Sequence, residues 1–281
     1  QKDNLDKALF YFEQAINIKK DFGQCYHRIG QILHNMGKLE SALQNFDKAT
    51  SNDSKNAKAY ASKGEIYKQK GQLFESIKNY RYALLISPEW AEVHNNLGLV
   101  LLEKKDFEES IKHLKKTIIL KPNYVEGYNN LGLALSKKGD ISEALNAFKK
   151  VLLINPDFAE ANNNIGNILK DLNDFESAEY FYSKAIQSKP NYSDAYYNLG
   201  SIFNFQEKFA EAIPLFEQAI NLNPNNSKAY NNLGTSLSSL NQFDKSIQYF
   251  RQAALLNPFS IEILNNLAGI LINTNRYDDA I

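Results

Sequence analysis

Side chains capable of acid–base, nucleophilic or metal chemistry are few in this 281-residue chain, and their spacing assembles no reactive centre. The four histidines, His27, His34, His94 and His113, lack the spacing to cysteine or paired carboxylates that a metal site needs. Surface or packing roles are expected for them. Cys25 is the only cysteine, so no intrachain disulfide can form. No phosphate-binding glycine loop, dinucleotide fingerprint or nucleophile elbow is present. No cofactor or metal is expected, and the chain reads as non-enzymatic. What remains is amide chemistry. Asn96, Asn130, Asn164, Asn198, Asn232 and Asn266 recur at a constant interval of 34 residues. An amide side chain carries both donors and acceptors. A row of amides can pair with the backbone of an extended peptide without reading its side chains. Alternatively, each amide bonds a neighbouring repeat and fixes the pitch of the array. Both roles stay open on sequence alone.

The interval belongs to the whole chain. Gly30, Gly64, Gly98, Gly132, Gly166, Gly200 and Gly234 are spaced by the same 34 residues, with no insertion or deletion. A fixed period of this size marks a stacked solenoid, in which each repeat packs only on its neighbours. With the glycine as position 8, full repeats span 23–56, 57–90, 91–124, 125–158, 159–192, 193–226 and 227–260. Residues 1–22 form a partial repeat, and 261–281 a truncated one with Tyr277 to Ile281 opening its second helix. In repeat 125–158, Tyr128, Leu131 and Leu135 follow a helical spacing. Gly139 then suits the left-handed conformation that ends a helix. Ile141, Ala144, Leu145, Phe148, Val151 and Leu152 make a second helical stripe, closed by Asn155-Pro156. Gly37, Gly71, Asn173, Asn241 and Asn275 keep the Gly139 rule, whereas Lys105 and Glu207 depart from it. Gly132 is expected to face Ala144, with Phe46, Tyr80, Phe148, Tyr182, Phe216 and Phe250 filling the remaining space. The junction near Thr50–Ser54 lacks the apolar residues and proline found elsewhere, and Lys63 stands where leucine is expected. It is therefore expected to be the softest.

These residues resemble the tetratricopeptide repeat (TPR) pattern, which in this chain reads Tyr230, Leu233, Gly234, Leu237, Ser246, Phe250, Pro258. The site usually held by tryptophan is loose, with Tyr26, His94, Asn162 and Leu264 among its occupants. The resemblance covers essentially the whole chain. It implies an all-α, right-handed superhelical solenoid of 34-residue helix-turn-helix units, whose first helices line a concave groove that recognises proteins or peptides.

At about 100° per residue, positions 2, 6, 9 and 13 share the helix face opposite the core positions 4, 7 and 11. Position 6 carries the six asparagines. Position 9 includes Leu99 and Leu133, an apolar step. Position 2 carries Glu92, Glu126 and Glu160, which favour helix N-termini through the macrodipole and also suit a ligand of basic character. Position 5, on the flank, adds Asn95, Asn129 and Asn163. Asparagine is less favourable than alanine inside a helix by up to about 0.7 kcal/mol, so a row of them needs an offsetting interaction. The row is similar to the asparagine ladder in the TPR arm of O-linked N-acetylglucosamine transferase. The chaperone-adaptor clamp, with lysine at position 5, is not expected, because His27, Ala61 and asparagines stand there.

Lys+Arg and Asp+Glu balance at 32 each, so no basic surface argues for nucleic acid or an anionic membrane. No apolar run is long enough to span a bilayer. A protein-interaction scaffold holding an extended segment is the first expectation, in a cytoplasmic location. The alternative is the substrate-recognition arm of a larger enzyme, such as a glycosyltransferase or sulfotransferase. Self-association through uncapped terminal repeats is a further expectation.

Overall fold

Two residue types set the punctuation of the chain. Proline follows the second helix of most repeats as the second residue past its end, and a residue with positive φ closes each first helix from the second onward. A computed structural model describes residues 2–18 and 22–276. The expected second helix from Tyr277 to Ile281 lies outside the described residues.

The helices are α1 (Lys2–Ile18), α2 (Gly23–Asn35), α3 (Leu39–Asn52), α4 (Ala57–Gln69), α5 (Leu73–Ile86), α6 (Ala91–Glu103), α7 (Phe107–Leu120) and α8 (Val125–Lys138). They continue as α9 (Ile141–Ile154), α10 (Ala159–Asp171), α11 (Phe175–Ser188), α12 (Ser193–Phe205), α13 (Phe209–Leu222), α14 (Ser227–Ser239), α15 (Phe243–Leu256) and α16 (Ile261–Asn273). Every even-numbered helix starts at the first position of a repeat. The chain is an all-α solenoid of helix pairs, and its contacts divide it into two compact halves, Gln1–Ala147 and Phe148–Ile281.

In the N-terminal half, Phe46 and Ala59 belong to one buried cluster and Tyr80, Val93 and Leu97 to the next. In the C-terminal half, Tyr182 with Leu199, Phe216 with Leu233, and Phe250 with Ile270 repeat that arrangement. Each cluster joins a second helix to the first helix of the following repeat. Ala8, Phe12 and Ala15 of α1 are half-buried.

The recurring glycine is where the two helices of a pair touch. A Cβ at Gly30 would sit 2.6 Å from the Phe46 ring, at Gly166 2.7 Å from Tyr182, and at Gly98 2.7 Å from Leu114. The large side chain thus lies directly on the glycine. The small residue at position 20 borders the glycine's carbonyl: Ser76, Ser110 and Ser246 donate their hydroxyls to Gly64, Gly98 and Gly234 at 2.7 Å.

The turns keep one geometry whatever residue occupies them. Lys105 (φ 65°) and Glu207 (φ 59°) adopt the same left-handed conformation as Gly37 (φ 74°) and Asn173 (φ 61°). The Asp106 N–H closes the loop onto Leu101 O at 2.8 Å, as that of Lys38 does onto Leu33 O at 2.9 Å. Tertiary packing therefore imposes the corner on two residues that do not favour it.

The junction at residues 50–57 is closed by Asn56, whose side chain accepts the Ala59 N–H at 3.0 Å. Lys63 reaches Asp47 at 2.7 Å while its own side chain is only 13% exposed.

Candidate functional site

The position-6 amides all lie half-buried on the first helices. Three make the same bond to the preceding repeat. Asn130 donates Nδ2–H to Asn95 Oδ1 at 2.9 Å, Asn198 to Asn163 at 2.9 Å, and Asn266 to Asn231 at 3.0 Å. The acceptors occupy position 5 and are buried: Asn95 is 4% exposed, Asn163 5% and Asn231 3%. Asn232 meets Tyr197 at that position instead and reaches Ser201 Oγ at 3.5 Å. Asn96 and Asn164 are half-buried at the equivalent place, as is Asn129 at position 5.

The acidic row is largely spoken for. Glu92 is ion-paired with Lys121, whose bond holds the carboxyl below its usual range, and Glu160 pairs with Lys189 at 2.7 Å. Glu126 is exposed, and Leu99 and Leu133 are half-buried. In the C-terminal half, Glu262 accepts from Asn231 Nδ2 at 3.0 Å.

Two pairings at position 9 went unread in the sequence. Tyr80 donates its hydroxyl to Glu65 at 2.8 Å, and Tyr182 to Asn167 at 2.7 Å. The signal was present: the large core residue is tyrosine where its own repeat carries Glu or Asn at position 9, and Phe where that position is Gln31, Leu133, Ser201 or Thr235.

Two of the four histidines, His94 and His113, pack on each other with ring centroids 5.0 Å apart. His94, at the tryptophan position, bonds Pro88 O at 3.0 Å through Nε2 and His113 Nδ1 at 2.8 Å through Nδ1. A carbonyl only accepts, so His94 carries its proton on Nε2 and His113 donates from Nδ1. Burial lowers both, His113 to about 4. Among the described residues no group of three or more metal-ligating side chains converges, and no helix is long and apolar enough to cross a membrane.

In the N-terminal half the first helices of three successive repeats flank an open cleft of about 1380 Å³. It is lined by positions 2, 5, 6 and 9, including Lys58, His27, Arg28 and Glu65, with Glu92 and Asn96 at its far side.

The "TPR repeat" family description matches residues 30–71, 64–105, 100–139 and 166–204, just over half of the chain. The "Tetratricopeptide repeat" description matches 125–158 and 193–226, and a related one 215–248. The chain belongs to the tetratricopeptide repeat family. A search of curated proteins found no match. Among solved structures, YrrB, described as a TPR protein with an unusual peptide-binding site, is 29% identical over 66% of this chain and 95% of its own, with a TM-score of 0.58. A tetratricopeptide repeat protein from Parabacteroides merdae ATCC 43184 is 18% identical over 89% of this chain and 98% of its own, at a TM-score of 0.71. A chain of the APC/C hetero-tetramer Cut9–Hcn1 is 14% identical over 95% of this chain and 52% of its own, at 0.72. The last two carry the fold alone.

Proposed function

We propose that the chain is a non-enzymatic scaffold that holds an extended protein segment along the face of its first helices, with the position-6 amides contacting the segment's backbone. The observation that carries this is the combination of burial and bonding at Asn130, Asn198 and Asn266. Each gives one N–H to a fixed acceptor in the preceding repeat and stays partly open to solvent. That bond fixes which way the amide faces. The remaining donor and acceptor capacity is then presented in a set orientation, which lowers the ordering cost of binding. Both roles foreseen for the amides are thereby compatible. The peptide-binding site named for YrrB supports the same class of ligand.

The test leaves the amide bonds intact and blocks the face beside them. Leu99→Arg with Leu133→Arg is expected to abolish binding to an array of extended 12-residue peptides while thermal unfolding stays close to that of the parent. Unchanged peptide binding by the folded variant would overturn the proposal.

A further inference from the structure

The solvent face of α5 differs from that of the other second helices. At position 18 the full repeats carry an acid (Glu40, Glu108, Glu176, Asp244) or a small residue (Ser142, Ala210), and an aromatic ring only at Phe74. At position 26 they carry lysine or glutamine, and an aromatic ring only at Tyr82. Phe74 is 76% exposed, Tyr82 45%, and Leu85, at position 29, 79%. Their spacing puts all three on one face of the helix, over about 16 Å of its axis. With the buried Ile77 they border an open groove of about 510 Å³. None of positions 2, 6 and 9 of a first helix lines it, so this surface is separate from the one proposed above.

The charged side chains that line the groove are all cations, Lys78, Arg81 and Lys104. Lys104 Nζ lies 5.0 Å from the centre of the Phe74 ring and makes no ion pair among the described residues. Lys78 pairs with Glu75 at 3.7 Å and Arg81 with Glu109 at 2.7 Å. These are surface contacts of small worth, which carboxylates of a ligand can replace. The backbone of α5 is bonded within its own helix, so the groove offers no main-chain partners. An extended segment laid on it would leave N–H and C=O groups unpaired against apolar side chains. A helix satisfies its own.

We infer that this face of α5 docks an amphipathic helix of a partner protein, with an apolar stripe over Phe74, Tyr82 and Leu85 and acidic residues flanking it. Apolar exposure bordered by charge marks an interaction surface, and the sign of the border selects the partner. A second copy of the same face would set cations against cations across a two-fold contact.

The probe is a fluorescein-labelled peptide of about five helical turns, with leucine along one face and glutamate elsewhere. It is titrated against the whole chain by anisotropy, beside a version with lysine in place of glutamate. The acidic peptide is expected to bind about tenfold more tightly than the basic one. Phe74→Glu/Tyr82→Lys restores the residue types of other repeats and should abolish its binding with thermal unfolding unchanged. Lys48 already covers Tyr26 at 5.5 Å where Tyr82 packs on Tyr60 at 5.3 Å, so the lysine has a place to lie. Lys104→Gln should narrow the difference between the two peptides. Leu99→Arg/Leu133→Arg should leave both affinities as they are. Equal binding of the two peptides, binding of neither, or retained binding by the folded Phe74→Glu/Tyr82→Lys overturns the inference and leaves the scaffold reading standing. Loss of binding in Leu99→Arg/Leu133→Arg assigns the helix to the first-helix face and overturns it too. So does sedimentation showing that Phe74→Glu/Tyr82→Lys abolishes self-association of the chain, or its capture by phosphatidylglycerol vesicles, since the occupant is then a second copy or a membrane.

Discussion

Asn130 and Asn95, 35 residues apart, share an N–H···O bond of 2.9 Å in which the acceptor is buried and the donor half-open. The relationship joins position 6 of one repeat to position 5 of the previous one. It supplies the interaction that offsets the poor helix propensity of asparagine.

Removing the donor alone should therefore be costly. Asn130→Ala gains a few tenths of a kcal/mol in helix propensity but leaves the Asn95 carbonyl buried and unmet, a penalty of about 1–3 kcal/mol. Net destabilisation near 1 kcal/mol is expected in urea unfolding. Asn95→Ala/Asn130→Ala should cost less than the two single changes combined, because neither partner is stranded.

Lys105 and Glu207 hold φ values of 65° and 59° that side chains resist. Lys105→Gly and Glu207→Gly should each raise stability by about 1 kcal/mol. The same change at an ordinary helical position lowers it. Differential scanning calorimetry on the two variants and on a mid-helix control decides this.

A methyl group on Gly166 would lie 2.7 Å from the Tyr182 ring. Gly166→Ala should destabilise by about 1–3 kcal/mol through forced repacking. Gly37→Ala meets no atom within 4 Å but must hold φ at 74°. It should also destabilise, with the nearby core unchanged. Aromatic-ring NMR shifts separate the two, since only the first moves the ring.

Lys63 lies largely buried against repeat 23–56, where other repeats carry apolar residues, and pairs with the exposed carboxylate of Asp47. Lys63→Leu frees Asp47 to solvent and buries an apolar side chain, so it should stabilise by about 1 kcal/mol. Hydrogen exchange across residues 50–57 should slow in parallel. Faster exchange would show that the ion pair holds the junction.

His27 and His113 are held near 4 by burial, below the unfolded value of about 6.5. As pH falls below about 6.5 the unfolded chain takes up protons that the folded chain refuses. Their contribution is present above that pH and is lost as the pH drops toward 4. The midpoint of thermal unfolding should fall over this window. His113→Gln should flatten the decline.

The fold was legible because its signals are redundant. The glycine, the proline and two helical stripes recur with one period, and the first helices begin where the repeats begin. Lys105 and Glu207 hid their backbone geometry because their residue types argue against it. The Asn130–Asn95 bond was only half-legible. Each row was visible by itself, but the bond runs diagonally between rows, at an offset one residue longer than the period. That His27 Nε2 is buried without a hydrogen bond could not be read at all, because it depends on what surrounds the ring in space.

The recurring amide bond also acts as a joining rule. At Asn95–Asn130, Asn163–Asn198 and Asn231–Asn266, where asparagine at position 5 of one repeat meets asparagine at position 6 of the next, the seam is the same. Such repeats are interchangeable parts, and one spliced between two others would find both of its bonds waiting. Tyr197, Ala61 and His27 break the rule at position 5. A spliced array should tolerate insertion at the first kind of seam and resist it at the second.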